Sequence, residues 1–152
     1  MALNREILDF IEEVGLIYEK TGLPRMCGRI MGLLMTYPTA EVSFNTCVEE
    51  LHASKSTVSA SLKTLEAMRF IQPYTEPGQR KTLYKLVDES VFNIVEQKLQ
   101  LLDYFQKMVA KGAQLNPPGG RRNQLDEMAD FYAFVLQELP TIRIKWESKK
   151  KL

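Results

Sequence analysis

His52 is the only histidine of the chain, and with Cys27 and Cys47 it offers the side chains best suited to nucleophilic or metal chemistry. Their spacing assembles no site. Cys47 lies five positions before His52, about 140° away around a helix, so that segment makes no Cys–His pair. The sequence holds no CxxC pair, HExxH, P-loop or nucleotide-binding glycine fingerprint, so neither an enzyme, a metal nor a cofactor is expected. His52 reads as a structural residue, packed or at a helix end. Cys27 stands near a helix start between Arg25 and Arg29, where cations and the helix end can activate a thiol for redox sensing. A small buried core residue is the plainer reading. Arg25 and Arg29 share a helical face, and both phosphate and the acidic N-terminal region are open to them.

A different chemistry is concentrated in ASKSTVSASLKTLE, residues 53–66. At about 100° per residue, Val58, Leu62 and Leu65 gather in one sector, with Ser61 towards its flank. Ser56, Ser59, Ala60, Lys63 and Ala67 point the other way. That outer side is short, polar and basic, and it carries no carboxylate, whereas a plain solvated face mixes Glu with Lys. Hydroxyls and ammonium groups hydrogen-bond phosphates and base edges, and short side chains let a helix lie close to a groove. A helix start also presents free N–H groups to phosphate. Ser54 is placed to cap this helix, with Lys55 and Thr57 in its first turn. Downstream, Gln79, Arg80 and Lys81 follow Pro77-Gly78 on a turn. The expected DNA-contacting set is therefore Ser54, Lys55, Ser56, Thr57, Ser59, Ala60, Lys63, Gln79, Arg80 and Lys81.

Charge is distributed to match. Residues 1–53 hold four Lys or Arg against eight Asp or Glu, and residues 54–86 hold six against two. The overall net charge of +1 hides this local basic segment, which suits an anionic partner at one place on the surface.

Helices and a hairpin must position these groups. Leu3, Ile7, Phe10, Ile11, Val14 and Ile17 recur at helical spacing up to Thr21-Gly22. Pro24 opens a second helix to Thr36, in which Gly28 and Gly32 lie four apart and invite close approach of another backbone. Glu41–Phe44 reads as a short extended piece, Asn45–His52 as a short helix capped by Ser43 or Asn45, and Lys55 to about Met68 as the next helix. Residues 70–74 and 82–87 read as two strands joined by the EPGQ turn. Beyond them Phe92, Val95, Leu99 and Leu102 mark a helix. After Asn116-Pro-Pro-Gly-Gly120, Leu125, Met128, Tyr132, Val135 and Leu139 form a heptad seam. Residues 147–152, with Lys149, Lys150 and Lys151, read as a solvated tail.

The chain of 152 residues is long enough to bury a core, and two cysteines make no disulfide framework. Without an apolar run of about 18 residues or a leader at MALNREILDF, a cytoplasmic protein with no membrane partner is expected. The fold class is mainly α with a small β-hairpin. The predicted organisation is an N-terminal helix over 1–23, a helix-turn-helix with a wing over 24–87, and C-terminal helices with a basic tail over 88–152.

The order of elements and SKSTVSASLKTLEAMRFI resemble the winged helix-turn-helix of MarR-type transcription regulators. GLPRMCGRIMGLLM (22–35) and EPGQRKTLYKL (76–86) resemble more narrowly the GbsR branch. The resemblance is strongest over 22–87. It implies a sequence-specific double-stranded DNA-binding regulator, homodimeric through its N- and C-terminal helices, binding a pseudo-palindromic operator and answering to a small effector. Phe10, Tyr18, Tyr104 and Tyr132 are candidates to line an effector pocket. Arg69 stands where such sequences usually end a helix with glycine, at a cost of about 1 kcal/mol if left-handed. Ala60 replaces a commonly long polar side chain and narrows base readout. The rival reading is a winged helix used for protein assembly without DNA.

Overall fold

The computed structural model describes residues 3–88 and 90–151. The chain divides into two compact units, Met1–Asn93 and Ile94–Leu152.

In the first unit, helix α1 spans Arg5–Lys20 and helix α2 spans Arg25–Thr36. Asn4 caps α1 by accepting the Ile7 N–H at 2.9 Å, and Pro24 stands at the N-cap of α2, where its missing N–H costs nothing. The two helices pack closely because α2 offers glycine at the crossing. A Cβ on Gly28 would sit 2.5 Å from the Val14 carbonyl oxygen and 2.6 Å from Gly15 Cα, and one on Gly32 would sit 3.0 Å from Ile11 Cα. The four-residue glycine spacing thus serves the close approach that the sequence suggested.

Strand β1 (Glu41–Ser43) leads into helix α3 (Phe44–Glu50), and helix α4 (Lys55–Ala67) follows. Ser43 rather than Asn45 is the α3 cap, accepting the Thr46 N–H at 3.0 Å. Strands β2 (Ile71–Thr75) and β3 (Thr82–Leu86) form the hairpin. The extended piece at 41–43 joins it, giving a three-stranded antiparallel sheet of order β1-β3-β2 with Ser43 opposite Leu83 and Tyr74 opposite Leu83 on the other side. Pro73 lies on β2, an edge strand, where a missing N–H leaves no central ladder bond unmade. The core runs through Ile11, Ile30, Leu33, Val42, Leu51, Val58, Leu65 and Ile71, all buried.

The second unit is built from most of helix α5 (Ser90–Gln114) together with helix α6 (Gly120–Lys150). Arg143 of α6 donates to Glu96 of α5 at 2.8 Å. The expected tail from Glu147 is corrected: residues through Lys150 continue α6, exposed but helical, while Leu152 lies outside the described residues. The helix also passes through Pro140, which brings no N–H to the Leu136 carbonyl.

Candidate nucleic-acid interface

Helix α4 is held by one face and free on the other. Val58, Ser61, Leu62 and Leu65 are buried, and Lys55, Ser56, Thr57, Ala60 and Lys63 are exposed, with Ser59 half-buried. Ser61 is thus inside the packed face rather than at its flank, and its carbonyl receives the Cys27 thiol at 3.9 Å. Ser54 caps the helix: its Oγ accepts the Thr57 N–H at 3.2 Å and donates to Thr57 Oγ1 at 2.7 Å. These two hydroxyls are therefore spent in part on the helix start. Ser56 Oγ lies at 3.3 Å from Ser54 Oγ and stays exposed.

The turn between β2 and β3 is closed by the Gln79 N–H on the Glu76 carbonyl at 3.0 Å, with Gly78 at φ +81°. Gln79, Arg80 and Lys81 are all exposed there. Among the described residues, Lys55, Lys63, Arg80 and Lys81 carry no salt bridge. Glu66 lies on the Tyr84 side of α4, where burial first and its charge second raise the Tyr84 phenol above its ordinary value.

The sheet register also joins residues that one-dimensional reading keeps apart. With Ser43 opposite Leu83, the start of α3 lies beside the wing base, and Ser43, Phe44, Asn45, Lys81, Thr82 and Tyr84 line a cleft of about 330 Å³. The sequence placed Asn45 at a helix start and Thr82 on a strand but did not bring the two together. Their only signal is the β1–β3 pairing, which local pattern does not specify.

The remaining candidates resolve differently. Arg25 grips Glu19 through two bonds of 2.8 and 3.2 Å, and Arg29 donates to Glu12 at 2.7 Å, so both choose the acidic helix α1. Hydrogen bonding to Arg25 holds the Glu19 carboxyl below its usual range. Cys27 and Cys47 are fully buried. Burial pushes the Cys27 thiol up and the Cys47 thiol up to about 12, so the thiolate that a redox sensor needs is disfavoured. His52 is exposed at the corner between α3 and α4, with φ +47°. Arg69 is left-handed at φ +60°, the conformation that carries the strain expected of a non-glycine residue. Tyr18 packs edge-on against Phe70 at 6.3 Å between ring centroids, a core contact in place of a pocket lining. Among the described residues no three His, Cys, Asp or Glu groups come together as a metal site, and no helix is long and apolar enough to cross a membrane.

A helix-turn-helix of α3 and α4 followed by a basic β2–β3 wing defines a winged-helix protein. Residues 90–149 match the family model of the MmpR5-like MarR family transcriptional regulators. The chain is 24% identical over 137 residues to the HTH-type transcriptional regulator MmpR5 of Mycobacterium tuberculosis (strain ATCC 25618 / H37Rv), covering 89% of this chain and 83% of that one. A crystal structure described as that of a transcriptional regulator superposes with a TM-score of 0.77 at 22% identity, over 94% of this chain and 99% of the other. The chain is thus similar to MarR-family transcriptional regulators, through its C-terminal helices in the family model and through most of its length in the relative, and it shares the winged-helix fold of the solved structure.

Proposed function

We propose that this chain is a cytoplasmic, sequence-specific double-stranded DNA-binding regulator that acts as a homodimer on a pseudo-palindromic operator. One observation carries the reading. In the first unit Arg25 and Arg29 are paired with carboxylates, whereas Lys55 and Lys63 on α4 and Arg80 and Lys81 on the wing are exposed and form no salt bridge among the described residues. Four such cations beside a short-side-chain helix suit a phosphate backbone flanking a groove. Helix α4 would enter the major groove, with half-sites about 10–10.5 bp apart or a multiple of that.

The dimer reading, through helices within 1–23 and 88–152, draws on the second unit. Only Val109, Ala113 and Ala129 are buried there among the described residues, while Tyr104, Met108, Phe131, Phe134, Ile142 and Ile144 are 57–64% exposed. A helix pair with so thin a core needs another surface to cover it, and a second copy supplies matching helices. A small effector would work by preferring one spacing of the two DNA-binding lobes. The finer likeness to the GbsR branch rests on segments 22–35 and 76–86.

Selection of bound duplexes from random-sequence DNA, followed by affinity measurements across a salt series, tests the proposal. The log–log slope should be steep, near −0.9 for each phosphate contacted. Absent or salt-insensitive binding to every duplex would favour a winged helix that serves protein assembly.

A further inference from the structure

Arg29 belongs to a motif that the proposed DNA-binding face leaves unexplained, and each nitrogen of its guanidinium has a partner. On α2, with its side chain 21% exposed, it donates from Nε to Glu12 Oε1 of α1 at 2.7 Å. Its Nη2 donates to the Leu51 carbonyl at 3.0 Å, and its Nη1 faces Met26 Sδ at 3.9 Å. Leu51 is the C-cap of α3, where carbonyls lack the N–H partners a longer helix would give. His52 follows at φ +47°, and Ser54 then caps α4. Gly15 leaves room for the clasp, since a Cβ there would stand 2.9 Å from Arg29 Cγ and 3.0 Å from Arg25 Cγ.

We propose that Arg29 is a positioning residue for α4, tying α1 to the corner that launches it. One planar fork reaches two acceptors on two different elements, which a lysine ammonium on a flexible stem cannot reproduce. Movement of α1 relative to α2 draws the donor away from the Leu51 carbonyl and loosens the first turn of α4. The consequence for DNA rests on the regulator reading above: because α1 is read there as part of the subunit interface, the clasp carries association or effector-driven movement into DNA affinity.

The test compares the full chain with R29K, E12Q and the double variant. Amide hydrogen exchange is followed over residues 51–58, and affinity is measured for the duplex recovered from random-sequence DNA. In R29K, exchange at 51–58 should quicken about tenfold, as for a lost charge-assisted hydrogen bond, with the α2 core unchanged. Affinity should fall about five- to tenfold with the salt slope intact, because Arg29 touches no phosphate. E12Q should move both readouts the same way, and the double variant should be no worse than R29K alone. Unchanged exchange at 51–58, or loss of protection spread evenly over the first unit, overturns the proposal. A slope shallower by about 0.9 overturns it too, by making Arg29 a phosphate ligand. If the wild-type chain binds no duplex while R29K still loosens 51–58, the regulator reading falls and the clasp stands.

Discussion

Lysines and arginines of the first unit divide into those that hold the fold and those that leave it free to bind. Arg25 and Arg29 bridge to α1, while Lys63 and Arg80 meet no carboxylate among the described residues. Lys63→Ala and Arg80→Ala should each weaken duplex binding and make the salt slope shallower by about 0.9, read by fluorescence anisotropy across a salt series. An unchanged slope in both would remove them from the interface. The thiols belong to the same scale. Burial raises both above the ordinary value, so the folded state favours the protonated form and the unfolded chain ionises first. Their contribution is whole below about pH 8.5 and is lost as pH rises towards 12 through the raised Cys47 value. Urea midpoints should fall over that alkaline window, and at pH 8 a thiol reagent should label neither cysteine until denaturant is added. At this scale hydroxyl spacing was legible, because helical period alone sorts α4 into two faces. The choice of partner for Arg25 and Arg29 was not, since it depends on where α1 lies.

Elements were foreseen where a local device marks them. Ser54 and Ser43 cap helices because a hydroxyl before a helix start satisfies an orphan N–H, and that rule needs no tertiary information. The glycine pair in α2 gave the same kind of signal. Gly28→Ala should destabilise the first unit by about 1–3 kcal/mol, seen as a lower melting temperature, because its Cβ would press on rigid backbone of α1. A melting temperature within a degree of the parent would show that the α1–α2 crossing yields. The third strand escaped full recognition, since three residues at 41–43 gain their identity only from β3 opposite them. The continuous α6 escaped as well. Its lysine-rich end looks like a tail, yet exposed lysines are good helix formers, and the helix carries the bond missing at Pro140 at a cost.

For the whole molecule, the apolar load of the second unit matters most. Phe131 and Phe134 on α6 are 62% and 60% exposed, and a solvated helix pair gains nothing by showing them to water. If the proposed dimer forms through this face, Phe134→Glu should convert it to monomer in analytical ultracentrifugation and cut affinity for a two-half-site duplex far more than for a single half-site. A variant that stays dimeric would place the interface elsewhere. The first unit, with its own core, should keep its circular dichroism melting transition in that variant.

The sequence by itself determined the helical frame, the two faces of α4 and the basic wing, because period, capping and turn chemistry act over a few neighbouring residues. Tertiary structure alone decided which arginines were already spent, that Asn45 and Thr82 share a cleft with Lys81, and that Arg29 joins α1 to the corner before α4. Those outcomes depend on contacts between residues far apart in the chain, and the free energy of such contacts has no local pattern to announce it.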